Sequence, residues 1–107
     1  MSIVHNSEIL NLSRLAEYQT GAIVSCQISK TEGGNITLFA FDEGQELSEH
    51  TVPFEAFVQV LDGETEIRIS GNPNHLKAGD AIIMPAGAPH AVKAVSKFKM
   101  ILTMIKK

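Results

Sequence analysis

The sequence is poor in the features that mark several large classes of protein. Its single cysteine, Cys26, cannot form an internal disulfide, so the chain is compatible with a reducing compartment. Basic residues cluster only at Lys106 and Lys107, and the net charge is −3, which argues against nucleic acid because phosphate binding needs a basic stripe. No run approaches the roughly 20 apolar residues of a membrane helix, and no leader-like segment opens the chain. We therefore expect a cytoplasmic protein with neither a nucleic-acid nor a membrane partner.

The chain does have enough apolar sequence for one compact domain. Its 107 residues are 44% hydrophobic and 20% charged, proportions that are ordinary for a globular protein and exclude a disordered one. A chain of this length buries on the order of 65% of its unfolded surface. Because no repeat, linker or low-complexity tract divides it, residues 1–107 are predicted to form a single domain.

The apolar residues fall in short runs separated by turn residues, which is the pattern of a β protein. Only residues 11–18 have a helix-like spacing, and they predict a turn or two of helix. About eight strands at close, even spacing indicate a jelly roll or barrel. The fold class is therefore predicted to be all-β, with at most a short N-terminal helix. The clearest apolar runs are residues 22–28, 36–41, 57–61, 81–84 and 98–105.

Turn sequences predict how neighbouring strands connect. Residues 32–35 read Glu-Gly-Gly-Asn and predict a hairpin turn between the first two strands. Asp62-Gly63 separates residues 57–61 from residues 65–69, and an Asp-Gly pair supplies the positive φ angles of a type I′ turn. The pattern therefore predicts a second hairpin with its turn at this point. A further turn is expected at residues 71–74.

Two short motifs carry the strongest signal in the sequence. They are Gly44-x5-His50 running on to Gly63, and Gly79-x5-Pro85-x-Gly87-x2-His90. Together, residues 44–63 and 79–94 resemble the paired signature of the RmlC-like cupin superfamily, in its type-2 conserved-barrel form. The resemblance implies a double-stranded β-helix, in which two sheets wrap into a short barrel around a central cavity. Glycines at turns fit this interpretation, because a residue without Cβ takes φ > 0 at low cost.

The resemblance also implies where a metal would bind, and the ligand set at those positions is incomplete. The cupin pattern asks for His-x-His, a Glu three or four residues on, and a His in the second motif. His50 and His90 match two of these positions, whereas Val52 stands in place of the second His and Ala56 in place of the Glu. No catalytic residue is predicted. The residues expected to line the cavity are His50, Val52, Ala56, His90 and Met100.

This donor set leaves three interpretations of the two histidines. They form a weak metal pair, they act as an acid/base pair, or they are hydrogen-bonded cavity lining. Catalytic zinc takes three protein ligands and non-haem iron takes two His and a carboxylate, so His50 and His90 alone would hold a divalent metal weakly. Glu55 would complete a triad only if a bulge near Pro53 turned it inward. In regular β structure Glu55 faces away from Ala56, and a solvated or interface Glu is the favoured interpretation.

Other reactive side chains give weaker signals. Cys26 lies mid-strand and is expected to be a buried, inert thiol. His75 is expected at the surface in a turn, and the order of the segment around His5 is left open. Gln59 is a candidate for a buried polar contact. A period-two stripe in the last strand is expected to be core or to line an apolar ligand pocket; it consists of Phe98, Met100, Leu102 and Met104.

Two functional classes follow from these residues. The first is a cupin that binds a small, largely apolar molecule in the barrel, with no cofactor or with a weakly held divalent transition metal. Val52 and Ala56 favour it, because hydrophobic replacements make the cavity drier. The second is a metal-dependent enzyme of dioxygenase or isomerase type, which uses His50, His90 and, if it turns inward, Glu55. A dimeric sensing or scaffold module is a third class, for which the sequence has no positive signal.

The same apolar runs bear on the oligomeric state. Residues 36–41 and 57–61 are apolar on both faces, which exceeds what one small barrel needs to cover. The sequence therefore predicts a homodimer. The alternative is that the N-terminal segment folds over one sheet and buries the second face within a single chain.

Overall fold

The computed structural model describes residues 6–106, which form one short helix and nine strands. The helix is Leu12–Leu15 (α1), and the side chain of Asn11 accepts a hydrogen bond from the backbone N–H of Ser13 at its start. The strands are Ile23–Thr31 (β1), Gly34–Phe41 (β2), Glu46–His50 (β3), Glu55–Asp62 (β4), Glu64–Ile69 (β5), Asn72–Lys77 (β6), Ala81–Met84 (β7), His90–Ala94 (β8) and Phe98–Ile105 (β9). Within residues 6–106, no helix is long and apolar enough to cross a membrane.

The strands form two sheets that face each other. The five-stranded sheet has the order β1-β2-β9-β4-β7, and the four-stranded sheet has the order β3-β8-β5-β6. All the strand pairs are antiparallel. This arrangement confirms the all-β jelly roll with a short N-terminal helix that the sequence predicts.

One apolar cluster fills the space between the sheets. Each strand sends alternate side chains inward, and the ring of Phe41 stacks on that of Phe98 with centroids 4.5 Å apart. Met100 belongs to this cluster and is 1% exposed. The predicted stripe on the last strand therefore faces the interior. The largest fully buried side chains in this cluster are Phe41, Phe98, Ile67, Met100 and Val58.

A second apolar cluster lies on the outer face of the five-stranded sheet. Leu38 and Ala40 point outward from β2, yet both are completely buried. The segment that contains α1 covers them, with Leu12, Leu15 and Ala16 packed against this face. Residues 36–41 are thus buried or half-buried on both faces within a single chain. The sequence leaves this arrangement open as the alternative to a homodimer.

Polar contacts fasten this N-terminal segment to the sheet. The ammonium group of Lys99, a residue only 8% exposed, donates a hydrogen bond of 2.7 Å to the carbonyl of Ser13. The same ammonium lies 4.9 Å from the ring centroid of Tyr18. The Tyr18 hydroxyl donates to Asp62, and burial together with this contact raises the pKa of Tyr18. The segment is therefore held to the sheet by specific polar contacts at Ser13 and at Tyr18.

The hairpin predicted around Gly63 is wrong. β4 pairs with β7 and β9 in one sheet, whereas β5 pairs with β6 and β8 in the other. The chain crosses between the sheets at Gly63, so a positive φ there serves a sheet change and not a two-residue hairpin. Type I′ geometry occurs instead at Ser70 and Gly71, which have φ of 51° and 82° and join β5 to β6. The turn predicted over residues 71–74 therefore ends earlier, and β6 begins at Asn72.

Candidate functional site

The strand register brings a set of inward side chains to one end of the barrel, which we call the histidine end. In the five-stranded sheet, Met104 of β9 is opposite Asn35 of β2 on one side and Ala56 of β4 on the other. Ala56 is in turn opposite Met84 of β7. In the four-stranded sheet, His90 at the start of β8 is opposite both His50 and Ile69. The residues of the histidine end are therefore Asn35, Ala56, Met84 and Met104 on one sheet and His50, Ile69 and His90 on the other.

The two histidines of this set contact each other. The rings of His50 and His90 have centroids 4.3 Å apart and are inclined at 64°. His90 is 4% exposed, whereas His50 is exposed. The pair therefore reaches from the interior of the barrel to solvent.

Backbone carbonyls fix the orientation and the tautomer of both rings. Nδ1 of His50 lies 2.8 Å from the carbonyl oxygen of Ser48, and Nδ1 of His90 lies 3.2 Å from that of Ala88. Because a carbonyl oxygen only accepts, each Nδ1 carries the proton that it donates. The Nε2 atom of each neutral ring then carries a lone pair. The pair therefore offers two hydrogen-bond acceptors, or two potential metal donors.

The environment of His90 favours its neutral form. Burial lowers the pKa of His90, and the neighbouring His50 lowers it further, while the hydrogen bond to Ala88 acts in the opposite direction. Desolvation penalises the charged imidazolium, which explains why burial dominates. At neutral pH the buried ring of the pair is therefore an uncharged acceptor.

The side chains at the histidine end do not fit the metal that the resemblance implies. Within residues 6–106, the structure contains no group of three or more His, Cys, Asp or Glu side chains placed to hold a metal ion. Val52 is half-buried and Ala56 is buried, and neither offers a donor. Glu55 is exposed, because β4 pairs in unbroken register from Glu55 to Val60 and no bulge turns Glu55 inward. The donor set is thus two imidazoles, short of the three protein ligands of a catalytic zinc site.

The other sequence candidates lie away from this end. His75 is exposed in β6, where its Nε2 is 3.0 Å from a carboxylate oxygen of Glu64; it lies in a strand and not in the predicted turn. Cys26 is a half-buried free thiol in β1. Gln59 is exposed, so the buried contact considered for it is wrong. His5 lies outside the described residues.

Sequence reasoning missed Asn35. Its Oδ1 is the one buried side-chain nitrogen or oxygen within residues 6–106 that lacks a hydrogen-bond partner. The turn sequence at residues 32–35 suggested a loop residue, whereas Asn35 lies in β2. Its spacing of two, four and six residues from Thr37, Phe39 and Phe41 is the signal that would have placed it on the inward face.

Known proteins share this sequence pattern and fold. A family model of the cupin domain matches residues 37–106. A conserved protein of unknown function from Streptococcus pyogenes is 33% identical, with a TM-score of 0.90 and coverage of 96% of this chain and 90% of that one. A cupin 2 conserved barrel domain protein from Leptotrichia buccalis is 38% identical with a TM-score of 0.88, and the match covers 91% of this chain but 47% of that one. An uncharacterized protein from Aquifex aeolicus is 26% identical over 106 residues, which are 97% of this chain and 88% of the relative. The chain thus belongs to the cupin family.

Proposed function

We propose that this cupin binds a small, largely apolar molecule at the histidine end of its barrel, with a divalent metal held weakly or not at all. The observation that carries the proposal is the imidazole pair, which is fixed by backbone carbonyls and stands beside aliphatic and thioether side chains of the interior cluster. Small-molecule sites are typically apolar, with a few placed polar groups that orient the ligand. The pair would supply those groups.

The lining supports an apolar ligand in two ways. Met84 and Met104 flank Ala56, and unbranched thioether side chains adapt to ligands of different shape. Ala56 is the smallest side chain of the row and stands between these methionines. A ligand that removes apolar surface from water there gains about 25 cal/mol per Å², while the imidazoles set its orientation.

Methionine-methyl NMR tests the proposal directly. The chain has four methionines, two of which line the histidine end, so 13C-methyl labelling gives a simple spectrum with local probes. We expect benzyl alcohol to shift the methyl signals of Met84 and Met104 and to leave the melting temperature of the protein equal or higher.

Variants of the histidines make the test specific. We expect the double variant His50→Ala/His90→Ala to stay folded and to lose the response to benzyl alcohol. The control is His75→Ala, which removes an exposed imidazole outside the histidine end and should leave the response unchanged. Wild-type protein whose two methionine signals do not move at millimolar alcohol would contradict the proposal.

One observation favours a second candidate, a metal-dependent enzyme of dioxygenase or isomerase type. Both Nδ1 atoms of the pair are held by carbonyls, which is how proteins orient metal-ligating imidazoles. Metal analysis of protein purified without an affinity tag separates the two candidates. Near-stoichiometric iron, zinc, nickel or manganese that is lost in His50→Ala, with a fall in melting temperature on chelation, would support the enzyme and oppose the apolar-ligand proposal.

We also propose a homodimer that forms through the part of the outer sheet face that the N-terminal segment leaves open. Ile83 of β7 and Ile105 of β9 are 53% and 51% exposed, and half-buried Phe57 of β4 lies opposite Ile83. Such a patch suits contact with a second copy. Light scattering should give a dimer mass for wild-type protein and a monomer mass for Ile83→Lys. A monomeric wild-type protein at micromolar concentration would oppose the proposal.

We further propose a cytoplasmic location and no nucleic-acid partner. The free thiol of Cys26 is compatible with a reducing compartment, and the chain carries a net charge of −3. Cell fractionation with an antibody against the protein tests the location, and recovery in the membrane or secreted fraction would oppose it.

A further inference from the structure

The side-chain oxygen of Asn35 accepts no hydrogen bond from the rest of the described structure. This atom, Oδ1, is buried. Burying an amide oxygen without a partner costs free energy, so such groups in folded proteins usually have a specific reason. Asn74, a half-buried asparagine in the other sheet, shows the contrast: its Nδ2 donates to the carbonyls of Ile67 and Asn72.

The orphaned atom belongs to the histidine end. β2 pairs with β9 in unbroken register from Gly34 to Phe41, so Asn35 shares the inward face of Phe39 and Phe41, which contact the interior cluster. Its partner across the strands, Met104, also contacts that cluster. Asn35 therefore faces the imidazole pair from the opposite sheet, and facing sheets lie about 10 Å apart.

Three polar atoms at this end are hydrogen-bond acceptors, and the amide nitrogen of Asn35 is the donor beside them. In a neutral imidazole whose Nδ1 proton is donated to a carbonyl, as the geometry at His50 and His90 indicates, Nε2 is the acceptor. Oδ1 of Asn35 is also an acceptor. A molecule that satisfies both sides must therefore bring the hydrogen-bond donors itself.

On this basis we propose that Asn35 is a specificity-determining residue of the site, and that the ligand is an uncharged molecule with at least two O–H or N–H donors on an apolar skeleton. One donor bonds the imidazole pair and the other bonds Oδ1 of Asn35. The inference rests on the proposed binding function and narrows its ligand class to diols and related compounds. A cationic ligand is disfavoured, because none of the seven residues of the histidine end is acidic and could balance its charge.

Matched probes test this ligand class by the same methionine-methyl NMR. The series is 1,4-butanediol, 4-methoxy-1-butanol and 1,4-dimethoxybutane, which have the same main-chain carbons but two, one and no donors. For wild-type protein we expect affinity to fall along the series, by about two- to tenfold for each donor lost, the effect of one hydrogen bond. Equal affinities for the three compounds would overturn the inference.

The variant Asn35→Leu removes the amide at similar volume. We expect it to bind the diol and the methoxy alcohol with nearly equal affinity, at the level of the methoxy alcohol in wild type. Without ligand it should melt no lower than wild type, because no hydrogen bond is lost, whereas the control Asn74→Leu should melt lower. If leucine prevents folding, Asn35→Ala gives the same comparison without the added methyl groups.

The outcomes separate the two proposals. If benzyl alcohol shifts Met84 and Met104 but the diol gains nothing over its ethers, the binding function stands and the role of Asn35 is refuted. If Asn35→Leu melts clearly lower without ligand and keeps the preference for the diol, the amide has only a structural role. If no probe shifts Met84 or Met104 in wild type, both proposals fail together.

Discussion

Replacing Gly63 with alanine tests how the chain passes from one sheet to the other. Gly63 has φ of +74°, and a Cβ built on it would lie 1.8 Å from the carbonyl oxygen of Lys97 and 2.8 Å from Cα of Phe98. Its own carbonyl accepts a hydrogen bond of 3.1 Å from Ala78. The crossing is therefore enclosed by the turns before β7 and before β9, and backbone cannot rotate away as a side chain would.

The magnitude follows from two separate costs. A non-glycine residue in the left-handed region costs about 1–2 kcal/mol, and forcing an atom into a packed space costs typically 1–3 kcal/mol more. The free energy of unfolding should therefore fall by about 2–5 kcal/mol, which lowers the melting temperature by roughly 10–20 °C. The matched control is Gly44→Ala, because Gly44 has φ of +81° and nothing within 4 Å of its added Cβ. That variant should lose only the conformational part, about 1–2 kcal/mol.

Urea unfolding of the two variants beside wild type, with circular dichroism as the probe, measures the difference. If both alanine variants lose the same free energy, the close approach of Gly63 to the backbone at Lys97 does not limit the fold, and the reasoning is refuted. A Gly63→Ala protein that is folded but a different oligomer would show that the crossing has rearranged. Either result would also revise the geometry by which β4 and β5 enter different sheets.

Three further predictions concern titration and metal binding. Because the pKa of His90 is lowered in the fold, the unfolded chain binds the extra proton first; the free energy of unfolding should therefore fall as pH drops below about 6.5 and level off below the folded pKa. His90→Gln should flatten this pH dependence in urea titrations. Tyr18 is the single tyrosine, so its ultraviolet titration should have a midpoint above the usual value of about 10, and Asp62→Asn should lower that midpoint. Val52→His combined with Ala56→Glu supplies the donors that the cupin pattern asks for, and this variant should show a chelator-reversible rise in melting temperature with added zinc that is lost when His50→Ala and His90→Ala are added to it.

The fold was predictable because its signals are local. Glycines at positive φ and short apolar runs predict a jelly roll, and the structure has positive φ at Gly44, Gly79 and Gly87. Which strands pair is not a local property. Asp62-Gly63 predicts a hairpin by composition, yet the register of β4 against β9 and of β5 against β8 overrides it. Long-range burial decides whether a glycine with positive φ forms a hairpin turn or lets the chain cross between the sheets.

The candidate site divides in the same way. His50 and His90 lie at motif positions, and the structure places them together; the exposure of Glu55 follows from simple alternation along β4. Asn35 stands in neither motif, and its role depends on β2 facing strands far away in sequence. The burial of Lys99 against the N-terminal segment likewise depends on tertiary packing. From sequence alone, a lysine in a strand is expected to point to solvent. The sequence pattern therefore could not predict the roles of residues that are positioned by the packing of the two sheets.

The backbone support of the imidazole pair gives the two sheets different roles in the proposed binding site. Each ring is held by the carbonyl two residues before it, at Ser48 and at Ala88, so its hydrogen bond comes from the backbone of its own strand end. We therefore expect substitutions of Ala56 to change the proposed ligand preference without reorienting the imidazole pair. Under the proposed function, discrimination between ligands would depend on the facing sheet. There the methionines would adapt to ligands of different shape, and the unpaired oxygen of Asn35 would disfavour a ligand that offers it no donor.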